Sequence, residues 1–308
     1  MRTLHFWSVT LGAAIAIWLV AGMVLLLSAG ADEPADWMPA SAYLVVALLL
    51  PPASAFVAMH WGAARWHPGP RREPSAGLVT RIILAAIMRS MVFVLLVLTV
   101  LLVQAALARQ PGGLAAVSAV VAGLEAVIFS GMGAALASLV RNQAWAVAAG
   151  WFVAVFLLAG GIGTCALLVP AVRSEEPVTV AMNVQRGQNG VVLAYECSSV
   201  PAGTAEVYRT DRIMWLAAPS PIVVSVMLAA EQDAGNELLG WLSARLQEAA
   251  DGTQVACVHG EPLDRDAARV PLGAAGLLMQ GGLAGLLVLG AQMVSWRRRI
   301  PAGPAGNA

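Results

Sequence analysis

Lysine is absent from this 308-residue chain, so all eighteen basic side chains are arginine, and charged residues make up only 12% of the sequence. That is about half the share found in an ordinary soluble domain, too little to keep a surface of this size dispersed in water. Without lysine there can be no phosphate loop of the G-x-x-x-x-G-K-[ST] type, whose lysine reaches the nucleotide phosphates. Eighteen bases against eighteen acids leave a net charge of zero, which excludes both a basic nucleic-acid-binding protein and an acidic tail protein. Cysteine is scarce as well, at three. The histidines, His5, His60, His67 and His259, are too scattered to form a zinc site. No catalytic constellation and no metal set is readable.

Hydrophobic residues, by contrast, account for 59% of the chain, and its mean hydropathy is +0.74. Charges are sorted so that long runs are left free of them, and about 20 apolar residues cross the hydrocarbon core as a helix. Six runs qualify, at about 7–30, 40–61, 81–108, 112–140, 143–171 and 271–296. Only Arg89 and Glu125 interrupt them. The expected fold is therefore an all-α polytopic membrane protein with six transmembrane helices. Ala29-Gly30-Ala31 has the form of a signal-peptidase site, but the apolar core before it is longer than a secretory h-region, so the first helix is expected to be retained. A further apolar stretch, Ile213–Ala230, carries Pro219 and Pro221. Counting it as a seventh span would put the terminal triplet Arg297-Arg298-Arg299 outside, so it reads as a surface or re-entrant element.

Loop charges then set the orientation. With both termini cytoplasmic, inner positions hold nine arginines against Glu73, a balance of +8, and outer positions hold eight arginines against sixteen acids, −8. Trp7, Trp37, Trp61, Trp66 and Trp296 fall at the expected interfaces, as an aromatic belt does. The tail 297–308 is cytoplasmic in this scheme, and 173–270 is an extracytoplasmic insert between the fifth and sixth helices. That insert contains 20 of the 36 charges. Alternation over 177–184 and 191–197, around Asn189-Gly190, predicts a hairpin. Residues 236–250 place Leu238, Leu242, Leu246 and Ala249 on one face of a helix closed by Gly252, and 253–259 reads as a short strand. A small α/β insert results. Cys197 and Cys257 both lie within it, open to either a disulfide or two free thiols; Cys165, in the fifth span, reads as a packing residue.

Several residues are candidates for more than topology. Gly131 and Gly133 in the fourth helix, and Gly281, Gly282 and Gly285 in the sixth, are read as helix-packing positions. Arg89 and Glu125 are costly inside a membrane unless paired or hydrated. They are expected either to form an ion pair between adjacent helices or to line a polar path. The inner loop 61–81, with Arg65, Arg71, Arg72, Glu73 and Arg81, serves either as a topology anchor or as a dock for a cytoplasmic partner, since Arg binds carboxylates well.

From this loop through the fifth helix, the sequence resembles the membrane subunit of ABC-2-type transporters. The similarity rests on Arg72-Glu73, on Arg81 and Arg89-Ser90 at the start of the third helix, and on IFSGMGAALASLVRNQAWAVA (128–148) with Gly133, Ser138, Arg141 and Ala144. The apolar, proline-containing LAAPSPIVV (216–224) resembles the family's outer element between its last two helices. One departure is that Glu73 is followed by Pro74-Ser75, where the family continues with a Gly-Thr type of pair. The resemblance implies a non-enzymatic export permease in a bacterial plasma membrane. It implies dimerisation with a second permease subunit, and coupling to a separate cytoplasmic ATPase that binds ATP. Arg65, Arg71, Arg72 and Glu73 would then be the coupling loop. The alternative is a non-transporting membrane sensor or assembly protein that uses 173–270 to bind a ligand or partner.

Overall fold

The structure, a computed structural model, describes residues 8, 11–12, 15–23, 37–65, 78–140, 142–186, 192–232, 237–252, 257–258, 261–262 and 271–297. A short helix α1 (15–23) is followed by α2 (Trp37–Arg65), α3 (Leu78–Leu107) and α4 (Gly113–Leu139). The fifth run is composite: α5 (Gln143–Val155), a π-helical turn Phe156–Gly160, α6 (Gly161–Leu168) and a 3₁₀ turn Val169–Val172. Strands β1 (Arg173–Arg186) and β2 (Val192–Tyr208) come next, then α7 (Pro221–Gln232), α8 (Glu237–Asp251), β3 (Cys257–Val258), β4 (Glu261–Pro262) and α9 (Leu272–Arg297).

Among the described residues, five helical stretches are long and apolar enough to cross a membrane: Pro39–Ala64, Ile87–Leu107, Gly113–Leu139, Gln143–Val172 and Leu272–Val294. They make a helical multi-pass membrane protein with a small sheet attached. Of the expected first span, α1 buries Ile17 and Ala21 in the helical core, and most of the rest of 7–30 lies outside the described residues. Leu95, Phe152, Leu167 and Leu286 are exposed on the helices, as a lipid-covered surface allows.

α2 and α4 form the central seam. They run parallel, because Tyr43 Oη donates to the Pro111 carbonyl (3.1 Å) at one end and Gly62 meets Gly133 at the other. A Cβ at Gly62 would fall 2.8 Å from the amide nitrogen of Ala134, and one at Gly133 would fall 2.8 Å from that of Ala63. Backbone lies on backbone here, a contact only glycine permits. Pro51 and Pro52 sit inside α2, and Pro51 has no N–H to give the carbonyl four residues back. Ser118 of α4 fills that gap, donating its hydroxyl to the Ala47 carbonyl. Ser54 Oγ lies 2.7 Å from the Pro51 carbonyl and 2.9 Å from the Ala122 carbonyl, a second tie across the seam. α3 lies antiparallel on α4, with Val94 against Gly123 and Leu102 against Gly112. At the far end Asn142 caps α5 by accepting from Ala144 N, 2.9 Å, and Gln143 donates to the last turn of α2 at Ala64 O, 2.7 Å.

The segment after α6 contains an antiparallel sheet in the order β2-β1-β3-β4. β1 and β2 pair from Arg173 opposite Tyr208 to Arg186 opposite Val192. Arg209 N donates to Val172 O (3.0 Å) and closes the base of the hairpin. Cys197 and Cys257 form a disulfide that ties β2 to β3, resolving the two options left by the sequence. The turn Asn189-Gly190 lies outside the described residues. α8 buries Leu239 while Leu238 and Trp241 are exposed, and Gly252 follows it with φ +79°, the left-handed conformation of a glycine stop.

Candidate functional site at a re-entrant turn

α7 has 12 residues and is about 18 Å long at 1.5 Å per residue, too short to cross a bilayer. Its position follows from its contacts. At one end Gln232 approaches Gly113, the first residue of α4; at the other, the Pro219 turn is level with Glu125, twelve residues further along α4. The chain therefore descends beside α6 through the 3₁₀ turns Thr210–Arg212 and Met214–Leu216, reverses at Ala218-Pro219-Ser220, and returns as α7. Val223, Val224, Val226 and Ala229 of α7 are buried. Ile213–Ala230, read from the sequence as a surface or re-entrant element, is thus inserted among the helices and turns back there.

Three structures hold the reversal. Ser220 Oγ donates to the Leu158 carbonyl at 2.9 Å. Leu158 lies within the π-helical turn, where the widened helix leaves carbonyls free for outside donors. Gly161 faces the Leu216 carbonyl, and Gly276 of α9 faces that of Ala218; a side chain on either glycine would meet backbone. From α9, Gln280 Nε2 donates both hydrogens, one to Pro219 O and one to Glu125 Oε1, each at 3.0 Å. Glu125 and Gln280 are both 0% exposed, and Glu125 Oε2 and Gln280 Oε1 have no hydrogen-bond partner among the described residues. A buried carboxyl and a buried amide thus fasten a non-helical turn at mid-depth in the helices.

Glu125 does not pair with Arg89, which corrects one of the two expectations for these residues. The reason is helical phase. Gly123 contacts Val94 of α3, the helix that carries Arg89, and two residues at 100° each turn Glu125 to the opposite side of α4, toward α9. Arg89 is half-buried and has no ion pair to Glu125. The glycine expectations divide in the same way. Gly133 packs against Gly62, whereas Gly131, Gly281, Gly282 and Gly285 have open space where a Cβ would stand; Gly131 is again two residues from Gly133 and faces away. Cys165 is buried, with its thiol 3.9 Å from the Met214 sulfur, a packing contact. Arg65 ends α2, and Arg71, Arg72 and Glu73 lie outside the described residues.

Gly62, Gly161, Gly276, Gln280, Ser54 and Ser118 were not singled out in the sequence. Gln280 carried a usable signal: it is an amide within an otherwise apolar span, where a polar group needs an interhelical partner. The protein matches no family model, no curated protein and no solved structure.

Proposed function

We propose that this protein is the permease subunit of an exporter resembling the ABC-2 type, with six spans and both termini in the cytoplasm of a bacterium. In this reading the helices form half of a translocation path, completed by a second permease subunit, identical or related. A separate cytoplasmic ATPase binds and hydrolyses ATP and acts on the 61–81 loop. The chain itself performs no chemistry. The observation that carries the reading is the re-entrant element. An apolar, proline-containing segment between the fifth and last helices, where 216–224 resembles the family's outer element, enters the helical body and returns without crossing it. The parallel α2–α4 seam supports it too, since spans two apart in an alternating topology must run the same way. The inside-positive charge distribution puts four arginines of the 61–81 loop where a cytoplasmic partner could use them.

The test is co-purification from the native membrane. An ATPase subunit should come down with the wild-type protein and be lost with charge reversal at Arg65, Arg71, Arg72 and Glu73. Purification without any ATPase would falsify the transporter reading. A second reading, a membrane sensor or assembly protein, is favoured by one observation: the outer segment has a disulfide-bonded sheet rather than a simple loop. Removing 174–208 should leave ATPase association intact in an exporter subunit and abolish partner binding in a sensor.

A further inference from the structure

Glu125 and Gln280 present an unbalanced set of hydrogen-bonding atoms. Both N–H groups of the Gln280 amide are used, by Glu125 Oε1 and Pro219 O. What remain are two buried acceptors, Glu125 Oε2 and Gln280 Oε1, with no donor between them. A carboxylate would leave both unsatisfied and place a net charge among apolar helices, and both conditions are strongly unfavourable. One proton on Oε2 removes the charge and supplies a donor. The side chains already share one bond, so the second closes a two-bond acid–amide ring with every polar atom satisfied.

The surroundings offer no alternative counter-charge. α2 contributes Tyr43 and His60 as titratable groups, and the side chain of Arg65 at its end is not described. α3 contributes Arg89, with Arg81 not described; α5 contributes none; α7 contributes Glu231 in its last turn. α9 has no titratable residue before Arg297, whose side chain is not described. None of these titratable groups whose side chains are described is hydrogen-bonded or ion-paired to Glu125, whose partner is Gln280.

We propose that Glu125 and Gln280 form a proton-binding site, loaded while the Pro219 turn is docked and opened when that turn leaves. The ligand is a proton held on Oε2 and directed at Gln280 Oε1. Gln280 also holds Pro219, so undocking the turn removes one of the amide's bonds, admits water to the carboxyl and lets the proton go. Movement of the re-entrant element and proton release are then one event. The proposal does not depend on the transporter reading and stands if that reading fails.

Infrared difference spectroscopy on the full-length protein in lipid nanodiscs at neutral pH tests it. Wild type minus Glu125→Gln should show the carbonyl band of a protonated, hydrogen-bonded carboxylic acid. Glutamine at 125 can keep the ring as an amide–amide pair, so this variant is expected to fold, and an unchanged gel-filtration profile checks that. A carboxylate band in place of the acid band overturns the proposal, as does sodium-dependent thermal stability that is lost in Glu125→Gln, since the occupant would then be a metal cation. Gln280→Met removes the acceptor and the tie to Pro219. The acid band should then move to higher frequency or give way to carboxylate; an unmoved band overturns the role of Gln280. Ser220→Ala loosens the turn without touching the pair and should increase deuterium exchange at the acid band. Unchanged exchange, with the turn shown to be mobile by thiol labelling of Trp215→Cys, overturns the coupling.

Discussion

Two junctions hold the helical body together, and they are built differently. At the α2–α4 seam, glycine faces glycine, hydroxyls of Ser54 and Ser118 close on main-chain carbonyls, and the elements joined are regular helices. At the re-entrant clasp the element held is a turn, and the closing groups include an ionisable acid with an unpartnered oxygen. The seam is closed by glycine backbone and serine hydroxyls, which carry no charge to gain or lose near neutral pH, so it behaves as a fixed frame. The clasp has both a proton-dependent bond and an exposed flank at Trp215, so it is the junction able to have two states. Fixed and movable parts of one membrane body differ here in whether the closing group can change its charge.

The comparison is tested most severely at the seam. Gly133→Leu drives a side chain into the backbone of Ala63, and the expected result is loss of monodisperse protein on gel filtration. Gly131→Leu, two residues away in open space, should purify and melt like wild type. If both glycines tolerate leucine, the seam is not a backbone contact. A smaller effect is expected at the clasp. Gly276→Val collides with the Ala218 carbonyl and with Val224, whose methyl lies 2.7 Å from a built Cβ. Overpacking of this kind costs roughly 1–3 kcal/mol. Hydrogen exchange should rise over 214–232 and stay unchanged over 43–62; exchange spreading equally into α2 would mean that the two junctions are one unit.

Ser118→Ala removes the donor to the Ala47 carbonyl and should cost about 1 kcal/mol, read as a small drop in melting temperature with no change at the clasp. The smallest effect lies outside both junctions. The Tyr208 hydroxyl donates to Glu206 Oε1 (2.7 Å), and this bond together with the charge of Glu206 raises the phenol above its ordinary value. The stability from that bond is complete below the ordinary tyrosine value and is lost as pH climbs through the raised one. Absorbance titration, corrected with Tyr208→Phe for the other two tyrosines, should show Tyr208 ionising late. Glu206→Gln should bring it back toward normal while both junctions keep their melting behaviour.

How much of this was legible differs from residue to residue. The apolar run between Gln110 and Val140, interrupted by Glu125 alone, lies on α4, Gly113–Leu139, because hydropathy and length are properties of the chain itself. That Ile213–Ala230 is broken by a turn was legible through Pro219 and Pro221, but whether it lies on the surface or enters the helices was not. Gly133 was legible as a small residue in a span, but not its difference from Gly131, because both have the same composition signal and only the helix phase relative to α2 separates them. The same phase hid the fate of Glu125: proximity in the list of charged residues pointed to Arg89, while its direction on α4 led to Gln280. The π-helical turn at Phe156–Gly160, whose Leu158 carbonyl accepts from Ser220, had no signal in the sequence.

By itself, the sequence determined that this is a helical membrane protein, where its apolar runs begin and end, that its charges are gathered between those runs, and that one apolar stretch carries two prolines. Each of these depends on local composition and on spacing along the chain. The tertiary structure alone decided which face of each helix meets which neighbour, and therefore that Gly62 meets Gly133, that Ser118 answers Pro51, and that Glu125 and Gln280 close on Pro219. Those pairings join residues 61 to 155 positions apart. Composition says that a buried polar atom needs a partner, but only the packed helices bring one within 3 Å.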